Sequence, residues 1–337
     1  RDLRRSRGLG DVYKRQQISL MLMKGMITKS TGSWYKVQLG DKTYVDARLK
    51  GAMRLGGSKS TNPVAVGDFV DLYPESEGRF VINNVQERRN YIVRRSVNLS
   101  KRTQVIAANL DQAILVCTIA EPKTLYGFMD RFLATTEAYD IPAVIVFNKI
   151  DNYSREAIIE LEYREAAYGK AGYRTLRTSA LSGEGITELK TILKDKISLF
   201  SGHSGVGKST LANELQPGLN LQTGSVSESH GQGKHTTTFA EMHFMKFGAH
   251  IIDTPGIRGF GLVDMENVEI SHFFPEIFKL QPKCKFGNCK HIDEPGCEVV
   301  RSVENNEIAP TRYSSYLSML NGDEENDSFR QDIYKKE

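Results

Sequence analysis

One stretch constrains this chain more than any other: Gly202-His203-Ser204-Gly205-Val206-Gly207-Lys208-Ser209-Thr210. It follows the short apolar run Ile197-Ser198-Leu199-Phe200, which reads as a strand, and precedes Leu211-Ala212-Asn213-Glu214-Leu215, which reads as the start of a helix. Gly-x-x-x-x-Gly-Lys-Ser between strand and helix is a phosphate-binding pattern. Its glycines let successive backbone N–H groups point at a polyphosphate, and the helix N-terminus adds partial positive charge. Lys208 is expected to reach the β- and γ-phosphates and the Ser209 hydroxyl to sit on magnesium, with Gly202 through Gly207 and Thr210 completing the cradle. A glycine turn before an ordinary helix is the plainer alternative, and the flanking context argues against it.

Most of the chain lies before this loop. Residues from 26 to about 95 read as short β-strands, with Trp34–Leu39 and Lys42–Arg48 flanking a Gly40-Asp41 turn. Further runs at Asp68–Leu72 and Arg79–Ile82 suggest a small all-β barrel. An OB-like barrel is the choice, although sequence does not separate it from an SH3-like one. Trp34, Tyr35, Lys36, Arg48, Lys50, Arg54 and Lys59 form either an RNA-binding face or a solvated surface. The run from Glu87 to Ser96 reads as a basic connector. Strand and helix then alternate: strands at Leu110–Thr118, Ala143–Phe147 and Arg174–Thr178, helices at Phe128–Ala138, around 154–171 and at Ile186–Lys196. This is the pattern of a parallel, doubly wound sheet with ligands at the carboxyl ends of its strands.

The strand Ala143–Phe147 ends in Asn148-Lys149-Ile150-Asp151. A carboxylate there accepts hydrogen bonds from N1–H and the exocyclic amine of guanine, whereas adenine offers no such pair and leaves the carboxylate unpaired. Asn148 is expected to fix the base edge and Lys149 to lie over the ring. Ser179-Ala180 follows the next strand, where a backbone N–H meets the guanine oxygen.

Beyond the phosphate loop, Gly231-Gln232-Gly233-Lys234-His235-Thr236-Thr237-Thr238 reads as a mobile loop, and Thr238 is taken as a magnesium ligand, with Thr236 and Thr237 open as alternatives. His250–Asp253 leads into Thr254-Pro255-Gly256; Asp253 would hold magnesium through water and the Gly256 N–H would sense the γ-phosphate. Ile257 stands where Ras-like enzymes carry a water-orienting glutamine. His235 is the nearest group for that catalytic role; packing or capping of its loop is the equal alternative.

Further on, Cys284, Cys289, His291 and Cys297 supply three thiolates and an imidazole, a set suited to a closed, structural zinc site. With only four cysteines in 337 residues, this is no disulfide framework, and it points to a reducing cytoplasm. His272 is expected to pack, and Cys117 to fill core. The formal net charge of +4 excludes a whole-chain electrostatic case for nucleic acid, and no apolar run approaches membrane-spanning length. The basic segment Arg1–Leu20 lacks a signal-peptide cleavage site; it reads as a disordered or non-native leader, with a nucleic-acid arm as the lesser alternative and a natural start at Met21, Met23 or Met26.

The guanine motif preceding the phosphate loop reverses the order of Ras-like GTPases. With a β-barrel before it and Cys-x4-Cys-x-His-x5-Cys after it, the chain closely resembles ribosome small-subunit-dependent GTPase A, the YjeQ-type circularly permuted GTPases, over roughly residues 26–320. The resemblance implies an OB-like β-barrel (23–95), a circularly permuted α/β P-loop GTPase domain (96–264) and a mainly helical zinc-binding domain (265–337), whose acidic end reads as a frayed tail; the leader (1–22) has no counterpart in the family. It implies GTP and GDP as ligands with Mg2+, one structural Zn2+, the small ribosomal subunit and its rRNA as partners, and a role late in small-subunit maturation. A cytoplasmic monomer without membrane contact is the expectation. A GTP-dependent RNA-binding switch with little turnover, a large-subunit assembly GTPase and an ATPase are the competing readings.

Overall fold

The computed structural model describes residues 22–51, 63–75, 78–95, 103–221, 240–253 and 269–322. Strands β1 (Met23–Ser30), β2 (Tyr35–Leu39), β3 (Tyr44–Leu49), β4 (Phe69–Pro74) and β5 (Phe80–Val85) run in the order β1-β2-β3-β5-β4, and β4 returns to pair with β1. Only the β3–β5 pair is parallel. This closed order is the OB-like arrangement, which decides between the two barrels the sequence left open. Alternate residues turn inward, so Ile27, Val37, Leu72 and Ile82 have no exposed surface.

The same alternation corrects one member of the basic–aromatic face. Tyr35 is only 2% exposed and belongs to the barrel core. Lys36 and Arg48 do face outward, Arg48 in a bidentate pair with Glu75. Trp34 is exposed under the Arg79 guanidinium, 5.7 Å from its ring. Arg54 and Lys59 lie outside the described residues.

The expected connector after the barrel is a strand instead. β6 (Tyr91–Arg95) pairs antiparallel with β7 (Thr103–Ala108) and buries Ile92 in the core of the α/β part that follows. Two arginines on its approach are paired within the chain. Arg88 grips the fully buried Asp68 at 2.7 and 2.8 Å, and Arg89 bonds Asp111 and the Leu110 carbonyl at 2.7 Å each.

The α/β part follows as β8 (Gln112–Cys117), α1 (Tyr126–Ala138), β9 (Ala143–Phe147), α2 (Arg155–Lys170), β10 (Arg174–Arg177), α3 (Ile186–Leu193), β11 (Ile197–Ser201), α4 (Lys208–Leu215), β12 (Glu241–Phe244) and β13 (His250–Asp253). Helix α3 stops three residues short of expectation, because Asp195 takes a left-handed turn (φ 56°) into β11. The sheet order is β10-β9-β8-β11-β13-β12, parallel except for β12. Every residue of β8 is buried, as a strand covered on both faces requires. β12 also meets β1 at Lys29 and Glu241, whose side chains pair at 2.7 Å, so barrel and α/β sheet form one continuous eleven-stranded sheet.

The last part is built from short helices: α5 (Pro275–Phe278), α6 (Glu298–Glu304) and α7 (Pro310–Asn321). His272 packs edge-on to Phe278 at 4.8 Å. α7 lies against α1, and between them Arg312, 1% exposed, bonds Asp130 at 2.9 Å and Glu276 at 2.7 and 3.1 Å. Among the described residues no helix is long and apolar enough to cross a membrane. The leader at 1–21 and the acidic run from Asp323 lie outside the described residues.

Candidate nucleotide site and metal centre

Four described loops emerge, and β13 ends, at the same carboxyl edge of the parallel strands. The phosphate loop leaves β11, and Gly207, the residue before α4, has φ 93°. A methyl group there would stand 2.5 Å from the Asn148 amide nitrogen, so only glycine lets the loop approach the base-side strand. Gly202 is equally constrained: at φ 143° its added Cβ would meet the Val116 carbonyl at 2.2 Å. Val206 is buried beneath, while Ser204, Gly205 and Thr210 are exposed and Ser209 is half-buried at the start of α4. Lys208 donates to the carbonyls of Gly202 at 2.6 Å and His203 at 2.9 Å. Burial lowers its pKa below the ordinary lysine value, and the Asp253 carboxylate opposes that shift.

Asn148 is 1% exposed. Its Nδ2 donates to the Val206 carbonyl at 2.9 Å, while its Oδ1 accepts from the Thr178 hydroxyl at 3.2 Å and the Ala180 N–H at 3.3 Å. The amide thus ties the phosphate loop to the loop after β10 with one N–H and its oxygen, leaving its second N–H outside this brace. Lys149, in the left-handed region at φ 65°, donates to the Glu121 carbonyl at 2.8 Å. Ile150 begins the short turn Ile150–Asn152 that presents Asp151 at the surface. Ser179 donates to the Asp151 carboxylate and accepts from the N–H groups of Leu181 and Ser182 at 3.2 and 3.0 Å. Asp151, Ser179 and Ala180 therefore converge, with Leu181 standing 86% exposed beside them.

Sequence reasoning missed the supports. Tyr153 donates to the Asn148 carbonyl at 2.7 Å and accepts from the Ile119 N–H at 2.8 Å; burial pushes its phenol up to about 12. Its place two residues after Asp151 is the only signal the sequence offers. His235, Thr238 (with Thr236 and Thr237), Gly256 and Ile257 lie outside the described residues. At the end of β13, Asp253 supplies carboxylate oxygen on the same edge as the Ser209 hydroxyl, a hard-oxygen set that suits Mg2+.

The metal centre lies in the last part. The ligand atoms of Cys284, Cys289, His291 and Cys297 all fall within 4.8 Å of one another. His291 turns Nδ1 toward the sulfurs, 3.6 Å from Cys284 Sγ and 3.5 Å from Cys297 Sγ. Burial pushes the Cys289 thiol up to about 12, so it is a thiolate at neutral pH only beside a cation. Three thiolates and one imidazole at this separation fit tetrahedral Zn2+. The surrounding knuckle is prebuilt. Glu294 accepts from the N–H groups of Lys290 and Ile292 at 2.6 and 2.9 Å; burial works against ionisation, but these donors bring its pKa down to about 2. Tyr313 and Tyr316 donate to the carbonyls of His291 and Lys290 at 2.6 and 2.7 Å. Lys279, Lys283, Lys285, Lys290 and Arg301 surround it, all exposed.

A parallel sheet whose phosphate-loop strand is flanked by β8 and β13, and whose base-side strands β9 and β10 come earlier in the chain, defines a circularly permuted P-loop GTPase. Family comparison narrows the class: the profile described as RsgA GTPase matches residues 85–263, and the RsgA N-terminal domain matches residues 24–82. The chain belongs to the RsgA GTPase family, a family of GTP hydrolases. It is 51% identical over 315 residues to the small ribosomal subunit biogenesis GTPase RsgA of Flavobacterium psychrophilum, covering 93% of this chain and 96% of that protein. It is also 51% identical over 303 residues to the protein of the same name from Bacteroides fragilis, covering 90% and 98%. Among solved structures, YjeQ from Thermotoga maritima is similar with a TM-score of 0.73 at 34% identity, over 90% of this chain and 98% of that one. YloQ, described as a circularly permuted GTPase, is similar with a TM-score of 0.69 at 25% identity, over 91% and 97%.

Proposed function

We propose that this GTPase binds the small ribosomal subunit and hydrolyses GTP to GDP and phosphate late in that subunit's maturation. The observation that carries the chemistry is the Asn148 brace, which joins the phosphate loop to the loop bearing Ser179 and Ala180. In this reading Asp151 selects guanine, Ala180 N–H meets the base oxygen, and Lys149 lies over the ring. Lys208 leaves the Gly202 and His203 carbonyls for the β- and γ-phosphates, while the N–H groups of the loop cradle the same charge. Ser209, Asp253 and Thr238 hold Mg2+, which supplies neutralisation of charge on the phosphates. Gly256 senses the γ-phosphate, and His235 orients the attacking water. Cys284, Cys289, His291 and Cys297 hold one structural Zn2+. Segments 23–95, 96–264 and 265–337 act as barrel, GTPase and zinc-binding domains of a cytoplasmic monomer, with rRNA contacted from exposed basic surfaces. The naming of the relatives as small ribosomal subunit biogenesis GTPases supports the choice of partner.

GTP turnover measured with and without purified small subunits tests this. A many-fold rise is expected, abolished in Lys208→Ala through lost nucleotide binding. His235→Ala should bind normally and lose the rise. Turnover indifferent to small subunits refutes the proposal and favours a switch that reads occupancy alone; a rise with large subunits only favours the other assembly role.

A further inference from the structure

The loop after β8, which meets Lys149 at Glu121 and Tyr153 at Ile119, also touches the phosphate loop. Thr124, near the end of this loop, has no exposed surface. Its Oγ1 accepts from the Thr118 N–H at 3.0 Å and lies 2.7 Å from His203 Nε2. The other ring nitrogen, Nδ1, is 3.1 Å from the Ser204 carbonyl oxygen, which can only accept. The ring proton therefore sits on Nδ1, and Nε2 accepts the Thr124 hydroxyl hydrogen. The Cys117 thiol beside that hydroxyl is pushed up to about 12 by burial, stays protonated and is the weaker acceptor. His203 is kept neutral by its own burial and by Lys208 and Lys149 nearby.

Thr124 is itself clamped. Arg164, fully buried on α2, donates to the Thr124 carbonyl at 2.7 Å and to Glu160 at 2.9 Å, with its guanidinium 4.1 Å from the Tyr126 ring. The far end of the phosphate loop is held by Asn148 at Val206; at the near end the His203 ring is held by the Thr124 hydroxyl and packs edge-on to Phe128 at 5.6 Å. Between them stand the Gly202 and His203 carbonyls that hold Lys208. The orientation of the His203 ring thus bears directly on the peptide carrying one of those two acceptors.

We infer that Thr124, anchored by Arg164, is a positioning residue for the phosphate loop: it holds His203 as the Nδ1–H tautomer and so sets the backbone at Gly202–Ser204 from which Lys208 reaches phosphate. This rests on the reading of Gly202–Thr210 as the nucleotide site.

The test uses the full chain with Thr124→Val, which is nearly isosteric, Thr124→Ser, His203→Ala and the Thr124→Val/His203→Ala double variant. Affinity for fluorescent mant-GDP is measured, and the ring tautomer is read from long-range 15N–1H histidine spectra. The wild-type His203 should show the Nδ1–H pattern. Thr124→Val removes the bond to His203 and the one accepted from the Thr118 N–H; loss of the first predicts roughly tenfold weaker mant-GDP binding, with Thr124→Ser close to wild type. In the His203→Ala background, Thr124→Val should have no further effect. An Nε2–H wild-type tautomer, unchanged affinity in Thr124→Val, or the same loss with and without His203 each overturns the inference. A wild-type chain that binds no mant-GDP refutes the nucleotide reading instead, and the tautomer spectrum still decides the Thr124 contact.

Discussion

Arg312→Met perturbs the joint between the GTPase part and the zinc-binding helices. Arg312 is 1% exposed, and its partners Asp130 and Glu276 have side chains 0% and 8% exposed. The guanidinium also lies 4.5 Å from the Phe274 ring. Methionine fills much of the volume but leaves two buried carboxylates without their cation, which costs about 3–5 kcal/mol. Arg174→Met is the control: its pair with Glu188 is 57% and 54% exposed, and its loss should cost about 0–1 kcal/mol. The two variants should also differ in pH dependence. Burial raises the Asp130 pKa above the usual carboxylate value, against the pull of Arg312. Without Arg312 it rises further, so the folded chain binds a proton that the unfolded chain releases. Stability then falls as pH climbs from the unfolded value through the raised folded one, and recovers on acidification. Urea unfolding followed by hydrogen exchange at α1 and α7, with zinc supplied and pH stepped upward from the ordinary carboxylate value, measures both effects. A loss in Arg312→Met no larger than in Arg174→Met, and flat with pH, refutes the account of a buried, cation-dependent joint.

Two further outcomes follow from the site chemistry. Metal analysis of the purified chain should give about one zinc per molecule, the stoichiometry of a single four-ligand centre. Cys297→Ser should lose it and speed exchange across α6, whose first turn Cys297 Sγ caps through the Val300 N–H at 3.5 Å; β8 and β11 should be unaffected, and retained zinc in that variant would remove Cys297 from the ligand set. Asp151→Ala should weaken GTP binding while leaving weak ATP binding unchanged, since the lost carboxylate has no partner on adenine; competition assays that still show full guanine preference would move the base contact elsewhere.

The features that could be read from sequence are those whose chemistry demands particular residue types close together in the chain. Gly202–Thr210, Asn148–Asp151 and the Cys3His set each fall within a short span, and each is where a local reading places it. Buried strands such as Ala143–Phe147 were equally plain because a fully covered strand is continuously apolar. What stayed hidden depends on distant pairs. Met23–Ser30 was not singled out as a strand because Lys24, Gly25 and Lys29 interrupt its pattern, yet it pairs with β2, β4 and β12. The arginines at 88 and 89 looked like a solvated connector because their acceptors, Asp68 and Asp111, lie some twenty residues away in opposite directions.

Asn148 marks the limit within a motif that was otherwise legible. Its type and spacing announce a guanine-site loop, and its donor and acceptor suggest contact with the base. One N–H is engaged by Val206 and the oxygen by Thr178 and Ala180, so the amide braces the loops with its second N–H to spare. A motif therefore tells which residues converge, but not which of their atoms are used in holding the loops together. The distinction changes what a substitution does. Removing Asp151 removes a recognition group from an intact pocket, so it should alter discrimination between bases. Removing the Asn148 amide frees the Val206 carbonyl and the Ala180 N–H together, so the phosphate and base halves lose their common brace. Asn148→Ala should weaken every nucleotide, adenine or guanine, and an affinity loss confined to guanine would show that the amide reads the base after all.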